Sequence, residues 1–299
     1  MPFVSQYGFL PLSAAPGKQA LYSPAQCASM DAAAPGFGVS IEQLMQAAAS
    51  AVARAVQRHW PQGAVLFLCG PGNNGGDALV AAQILREQGR VVSVFSLVDP
   101  SQRQGTAAWA QTQWQGRWET QCPDFRRFSV VVDGLLGAGL DRDVEGDTAA
   151  LIQSLAASNV PVCAIDVPSG LDGASGQVRG VVAPATVTVS FVRYKPGHVL
   201  YPGRALCGKL ELADIGMPAP ALQEPNTWLN EPALWQGHLP QLGAQSHKYT
   251  RGHALVVGGE RMTGASRLAA RAAQRAGAGL VSMAVPPSVW PVYASALDS

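Results

Sequence analysis

Charge is scarce in this chain. Asp, Glu, Lys and Arg make up 14% of its 299 residues, against a usual ~25%, and no long run of either sign occurs. The net charge is +1. That balance argues against nucleic acid and against an acidic membrane surface as partners. Cysteine is scarce too. The five present (Cys27, Cys69, Cys122, Cys163 and Cys207) are odd in number and share no short metal-like spacing, which argues against a disulfide framework and against zinc. Cys69 and Cys163 lie in apolar strand-like runs, where a buried, reduced thiol is expected. No stretch reaches the roughly 18–20 unbroken apolar residues that span a bilayer. The start of the chain has no basic region and is broken by Pro2, Pro11 and Pro16, so it does not read as a signal peptide. A cytoplasmic location in a reducing compartment is the expectation.

Apolar residues, glycine and proline are plentiful. The hydrophobic fraction of 47% suffices for a buried core. The 32 glycines and 22 prolines imply many tight loops. A site built from loops and backbone amides suits this composition better than one built from charge.

Short apolar runs alternate with helical stretches. Ser40, with Gln43 three residues on, predicts a capped helix over the Ala-rich residues 41–60. Residues 64–69, 91–97, 129–133, 160–166, 186–191 and 210–213 read as strands. Residues 77–88 (with Gly89 as the C′ residue), 102–115 and 148–158 read as helices. The pattern predicts an α/β fold, a Rossmann-like, doubly wound, mainly parallel sheet with helices on both faces. Residues 217–247 hold five prolines and little periodicity and read as a linker. A strand–helix–strand series follows at residues 253–257, 265–276 and 280–285. It reads as a second α/β domain only begun, because some 50 residues cannot bury such a core unaided.

The loop Gly70-Pro71-Gly72-Asn73-Asn74-Gly75-Gly76-Asp77 lies between a predicted strand and a predicted helix, as a phosphate cradle does. Gly70, Gly72 and Gly75 satisfy G-x-G-x-x-G, and Asp99 is read at the end of the next strand. A dinucleotide-dependent oxidoreductase is therefore one reading. Asn73 and Asn74 put bulky amides at positions where that fingerprint is unselective, and Asp77 would put an acid into the first helical turn, against a diphosphate. The pattern alone leaves the choice open. Three more strand ends carry unusual chemistry: Asp133 before Gly134–Arg142, Asp166 before Val167-Pro168-Ser169-Gly170, and Lys195 before Pro196-Gly197. Each alone has a bland reading, Asp133 as a turn cap and Lys195 as a solvated loop lysine. Together they predict one crevice at the carboxyl ends of the strands.

These four segments, spanning residues 21–216, resemble the NAD(P)H-hydrate epimerase family, whose members share G-x-G-N-N-G-G-D-G, V-D-a-l-f-G-t-G-L, i-D-i-P-S-G-l-d and a later lysine. The resemblance implies interconversion of the R and S epimers of hydrated NADH and NADPH, a metabolite-repair activity. It implies substrate contacts from Asn73, Asn74, Gly75, Gly76 and Asp77 on one side. Gly137, Ala138, Gly139, Leu140, Asp141, Arg142 and Asp143 would line the other, and Asp166 would also touch the substrate. Asn74, Asp133 and Ser169 are implied as oxygen ligands of a potassium ion. Asp166 is the expected acid/base group, since epimerising a hydroxylated ring carbon moves a proton at or near it, and Lys195 is the second catalytic candidate. Residues 248–299 resemble the opening of the ADP/ATP-dependent NAD(P)H-hydrate dehydratase, of ribokinase-like fold. That implies an ADP or ATP cofactor, and dehydration, only in a longer chain. Three positions depart from the family pattern: Ala78 where the glycine loop usually ends in Gly, and Gln46 and Ala49 where an acid and a glycine are usual. They keep a non-catalytic nucleotide-binding scaffold in view. Composition leaves monomer and homo-oligomer equally open.

Overall fold

The computed structural model describes residues 19–99, 102–239 and 241–296, so the reading of the chain's first 18 residues lies outside it. The chain divides into two compact units, Met1–Asn230 and Glu231–Ser299.

The first unit begins with β1 (Ala20–Leu21) and α1 (Pro24–Ala33), then α2 (Ile41–His59). Strand β2 (Val65–Cys69), helix α3 (Asn73–Glu87), β3 (Val92–Phe95), α4 (Gly105–Gln113), β4 (Val130–Gly134), α5 (Gly146–Ser158), β5 (Val162–Ile165) and β6 (Val187–Phe191) follow. A short α6 (Gly203–Leu206), β7 (Lys209–Ala213) and β8 (Thr227–Trp228) complete it. Six of these strands form one sheet in the order β3-β2-β4-β5-β6-β7, every neighbouring pair parallel. The predicted doubly wound parallel sheet is what forms.

Burial explains the arrangement. Every residue of β2, β4, β5 and β6 is buried, as expected for strands covered on both faces. Alternation sorts the side chains. Val65, Phe67 and Cys69 of β2 join a core with α2 and α3, while Leu66 and Leu68 join another with Leu151, Ile152 and Leu155 of α5. Cys69 and Cys163 are free and buried, as their runs predict. On α2, Leu44, Met45, Ala48, Val52, Ala55 and Val56 are buried along one stripe, and Ser40 and Gln43 cap it reciprocally.

The first and last strands of the unit also meet. β1 pairs antiparallel with β8, Tyr22 Oη donates to Gln223 O at 2.7 Å, and Tyr22 N–H donates to Tyr194 O at 3.0 Å.

Two expectations need correction, and one helix was not foreseen. Helix α3 starts at Asn73, with Gly72 as N-cap, rather than at Asp77. The glycine-rich residues themselves wind the first turn, and Asp77 therefore sits beyond it. Strand β3 ends at Phe95, so Asp99 lies in the following loop and not at the strand end. Helix α1 has no counterpart in the sequence reading.

The second unit holds a short helix, α7 (Pro232–Trp235), and then β9 (His253–Val257), α8 (Thr263–Ala276), β10 (Leu280–Ala284) and α9 (Trp290–Ala294). β9 and β10 are parallel neighbours, a βαβ unit as predicted. Its apolar face is open: Leu255, Val257 and Leu268 are each about two-thirds exposed or more. Among the described residues, no helix is long and apolar enough to cross a membrane.

Candidate functional site

The sheet order places its switch point between β2 and β4, since β3 lies to one side of β2 and the later strands to the other. Ligand crevices form outside the carboxyl ends of the strands at such a point, and the glycine loop sits there. At three of its positions the packing leaves no room for a side chain. A Cβ on Gly70 would lie 1.8 Å from the Leu135 carbonyl oxygen, and one on Gly75 would lie 2.1 Å from that of Gly70. A Cβ on Gly76 would lie 2.7 Å from Met45 Cε. The loop after β2 is thus pressed against the loop after β4 and against α2. That contact carries the exposed Asn73 to the crevice rim at the amino end of α3, where N–H groups lack helical partners.

Behind the glycine loop lies a buried polar network. Asp133, 1% exposed, accepts the Leu135 N–H at 3.2 Å on Oδ1. Ser169 Oγ–H also donates to Oδ1, at 2.5 Å, and Ser169 N–H donates to Oδ2 at 2.8 Å. Ser169 Oγ accepts the Leu136 N–H at 2.9 Å, and Asn74 Nδ2 donates to Leu136 O at 2.9 Å. Asp133 does cap its turn, and it also binds the β5 loop. Burial pushes its pKa up, against the pull of the Ser169 and Leu135 donors, and the balance stays above the ordinary value. No lysine, arginine or histidine pairs with it among the described residues.

In front of this network opens a cavity of about 280 Å³. Asp166, one residue beyond β5, and Lys195, four beyond β6, meet in it as an ion pair. Lys195 is 3% exposed and also donates from Nζ to Ser190 Oγ at 3.2 Å. It is no solvated loop lysine. Burial pulls its ammonium pKa down, but the Asp166 carboxylate offsets this and leaves it above the ordinary 10.5. Asp77 lines the same cavity without an ionic or hydrogen-bond partner among the described residues. Burial, then the nearby carboxylates of Asp166 and Asp31, push its pKa well above the ordinary 3.8. One wall therefore carries an ammonium–carboxylate pair and a third, unpartnered carboxyl group whose pKa is raised. The other wall is apolar, from Met30, Ile41, Leu44, Met45, Phe191 and Ile215.

The sequence candidates sort into three groups. Asn73, Asn74, Asp77, Gly137, Ala138, Gly139, Asp166 and Lys195 line the cavity. Gly75 and Gly76, with Asp133 and Ser169, are buried and do not line it. Leu140, Asp141, Arg142 and Asp143 do not line it, and the three charged residues among them are exposed in the loop leading to α5. Sequence reasoning missed the α1 wall, where Pro24, Cys27 and Asp31 face the cavity. It also missed Ser190 and His198 behind the ion pair. The signal for α1 was present as Ser23-Pro24-Ala25-Gln26, a capping box with proline at the first helical position, and both reciprocal bonds form. None of the three departures lines the cavity. Gln46 is exposed and Ala49 buried. The Ala78 methyl fills the space above Gly134, where a Cβ would come within 2.6 Å of it.

Fold and site together define a doubly wound α/β protein with a glycine loop at the switch point and a buried acid–amine pair beyond the neighbouring strands β5 and β6, all on one polar crevice. The family described as YjeF-related protein N-terminus matches residues 41–197. An NAD(P)H-hydrate epimerase of Achromobacter xylosoxidans is 43% identical over 188 residues, covering 58% of this chain and 86% of that protein. The chain belongs to this NAD(P)H-hydrate epimerase family. Two proteins named bifunctional NAD(P)H-hydrate repair enzyme Nnr are also similar. That of Moorella thermoacetica is 38% identical over 271 residues, covering 84% of this chain and 51% of the relative. That of Coxiella burnetii is 35% identical over 283 residues, covering 91% and 57%. The chain thus spans a little over half the length of these two relatives. The crystal structure of yeast ynu0, YNL200c, matches with a TM-score of 0.56 at 21% identity over 76% of this chain and 96% of that one, a likeness of fold.

Proposed function

We propose that the first unit interconverts the R and S epimers of hydrated NADH and NADPH. The observation that carries the reading is the Asp166–Lys195 ion pair sharing one cavity with Asp77, whose pKa burial and neighbouring carboxylates push up, at the carboxyl ends of the strands. Two carboxyl groups on one cavity, one paired with an ammonium and the other buried without a partner among the described residues, suit the roles of base and acid on one substrate.

Inverting a hydroxylated ring carbon needs the same two services by either available route. If the hydroxyl leaves and returns, Asp77 gives the proton that lets it depart as water, and Asp166 takes a proton from the water that re-adds. If the ring opens, Asp166 takes the hydroxyl proton and the departing ring nitrogen receives one from Asp77. Ring closure on the other face of the carbonyl runs the second set of transfers backwards and restores both groups. After the first route the proton gained by Asp166 has to pass back to Asp77 through water before the next turnover. Lys195 holds Asp166 in place as its ion-pair partner, and the apolar wall receives the flat ring. The diphosphate stays outside this acid-lined cavity, at the free amides of the α3 amino end and at Gly137–Gly139.

The buried network fits the implied potassium ion. A carboxylate has about four acceptor positions, and three donors occupy Asp133, so one position remains on a buried carboxyl group with no cationic side chain beside it among the described residues. Asn74, Asp133 and Ser169 would hold the ion with hard oxygen donors. Its charge would offset that of Asp133 and support the anionic nucleotide.

The test is to supply the isolated R-epimer of hydrated NADH and follow the S-epimer by chromatography against the spontaneous background. Acceleration that disappears in Asp166→Ala is the expected result. A folded wild-type protein that gives no acceleration overturns the reading.

A further inference from the structure

We propose that His198 is the positioning residue of the acid–base pair: its imidazole ties the backbone of Lys195 to the backbone of Asp166 and so fixes where their side chains meet. The inference rests on the reading above that this pair performs the chemistry.

The geometry leaves His198 one protonation pattern. The Lys195 N–H donates to Nδ1 at 2.9 Å, so Nδ1 carries no proton. The ring proton is therefore on Nε2, which donates to the Asp166 carbonyl oxygen at 2.7 Å. The ring is fully buried and does not line the cavity, so it cannot touch substrate. Burial, then the charge of Lys195, pushes its pKa down to about 4, which keeps this pattern throughout the neutral range.

Asp166 needs such a restraint. Its φ is 63°, a left-handed conformation that non-glycine residues adopt as isolated, externally held points. Its N–H is fixed by Val189 O at 2.8 Å, and its carbonyl by His198. The restraint is itself anchored. Pro196, Gly197 and His198 form a single 3-10 turn, and Gly197 N–H donates to Gly173 O at 2.8 Å. A Cβ on Gly197 would lie 2.5 Å from Asp172 O, so glycine lets the turn rest on the β5 loop. The Tyr194 ring meets His198 edge-on with centroids 5.6 Å apart. Lys-Pro-Gly-His is thus one device: the lysine supplies charge, the proline and glycine make the turn, and the histidine returns to Asp166.

The test compares His198→Leu and His198→Gln in the full chain, by steady-state kinetics and by crystal structure. A small misplacement of reacting groups costs up to roughly 100-fold in rate, so His198→Leu is expected to lower kcat by about that factor with KM within about twofold. His198→Gln, which keeps one acceptor and one donor, is expected to recover most of kcat. In the leucine variant Asp166 is expected to leave the left-handed region or part from Lys195 Nζ, and in the glutamine variant to do neither. A leucine variant with unchanged kcat, or with the pair unmoved, overturns the proposal. If the leucine variant does not fold, histidine ¹⁵N spectra of the wild type decide: a His198 carrying its proton on Nδ1, or titrating near its ordinary 6.5, overturns it. A wild type without turnover would defeat the function instead, leaving the positioning role to the structures and spectra.

Discussion

Lys195 and Asp166 are tolerable at their depth because each offsets the other. The two side chains are 4% and 17% exposed, and removing one partner of a buried pair leaves an uncompensated charge. Lys195→Met is therefore expected to abolish turnover and to cost about 3 kcal/mol of stability, read from urea unfolding. Asp166→Ala should abolish turnover as well. An Asp166→Ala variant that turns over at the wild-type rate would remove that residue from the chemistry. His198 adds a pH dependence with a definite sign. Its folded pKa of about 4 lies below the ordinary 6.5, so the unfolded chain takes up this proton first as pH falls. The stabilisation is complete above about pH 6.5 and drains away toward pH 4, on the order of 3 kcal/mol in all. The unfolding free energy of wild type relative to His198→Gln should narrow between pH 7 and pH 4.5. An unchanged gap would show that the imidazole already titrates normally in the folded protein. Asp133 provides the ionic counterpart. Potassium chloride should raise Tm more than equimolar choline chloride, as a ligand of the folded state does, and equal curves would remove the cation from the network.

The glycine loop shows how an element can be set by what it must approach. Gly70 and Gly75 press against backbone, whereas a Cβ at Gly72 would meet nothing within 4 Å. Gly75→Ala is expected to cost more than about 4 kcal/mol or prevent folding, and Gly72→Ala to stay within about 1 kcal/mol in thermal and urea unfolding. Ala78→Gly should not improve the protein. It removes a buried methyl over Gly134 and lowers helix propensity, for a loss of about 1–2 kcal/mol. The same contrast explains what was legible in the sequence. Sheet strands announce themselves as short apolar runs, and α2 announces its start through Ser40 and Gln43. Helix α3 hid its first turn because glycines and asparagines have poor helical propensity, and only tertiary packing against Gly70 and Met45 makes them helical. Helix α1 was obscured by a weak apolar stripe, with Met30 its single buried residue, although Ser23 and Gln26 marked its start. For the site, motifs gave Asp133, Asp166 and Lys195. Asp31, Ser190 and His198 carry no local signal, since their roles arise from neighbours far along the chain.

At the scale of the molecule, every residue that lines the cavity lies between Pro24 and Ile215, inside the first compact unit. A chain ending at Asn230 is therefore expected to fold cooperatively and to retain wild-type kcat within about twofold, as a self-contained core should. Turnover that vanishes in a folded fragment would show that the second unit contributes to the site. One contact bears on timing. The α1 wall follows β1, and β1 is held by β8 and by the Tyr22–Gln223 bond, across 201 positions. Contacts of such separation form only after long loops have closed. During synthesis the six-stranded sheet has all its strands once β7 has emerged, yet its cavity still lacks a fastened wall. The nascent chain is a finished scaffold before it is a finished site, and the emergence of Thr227 and Trp228 is what closes the gap.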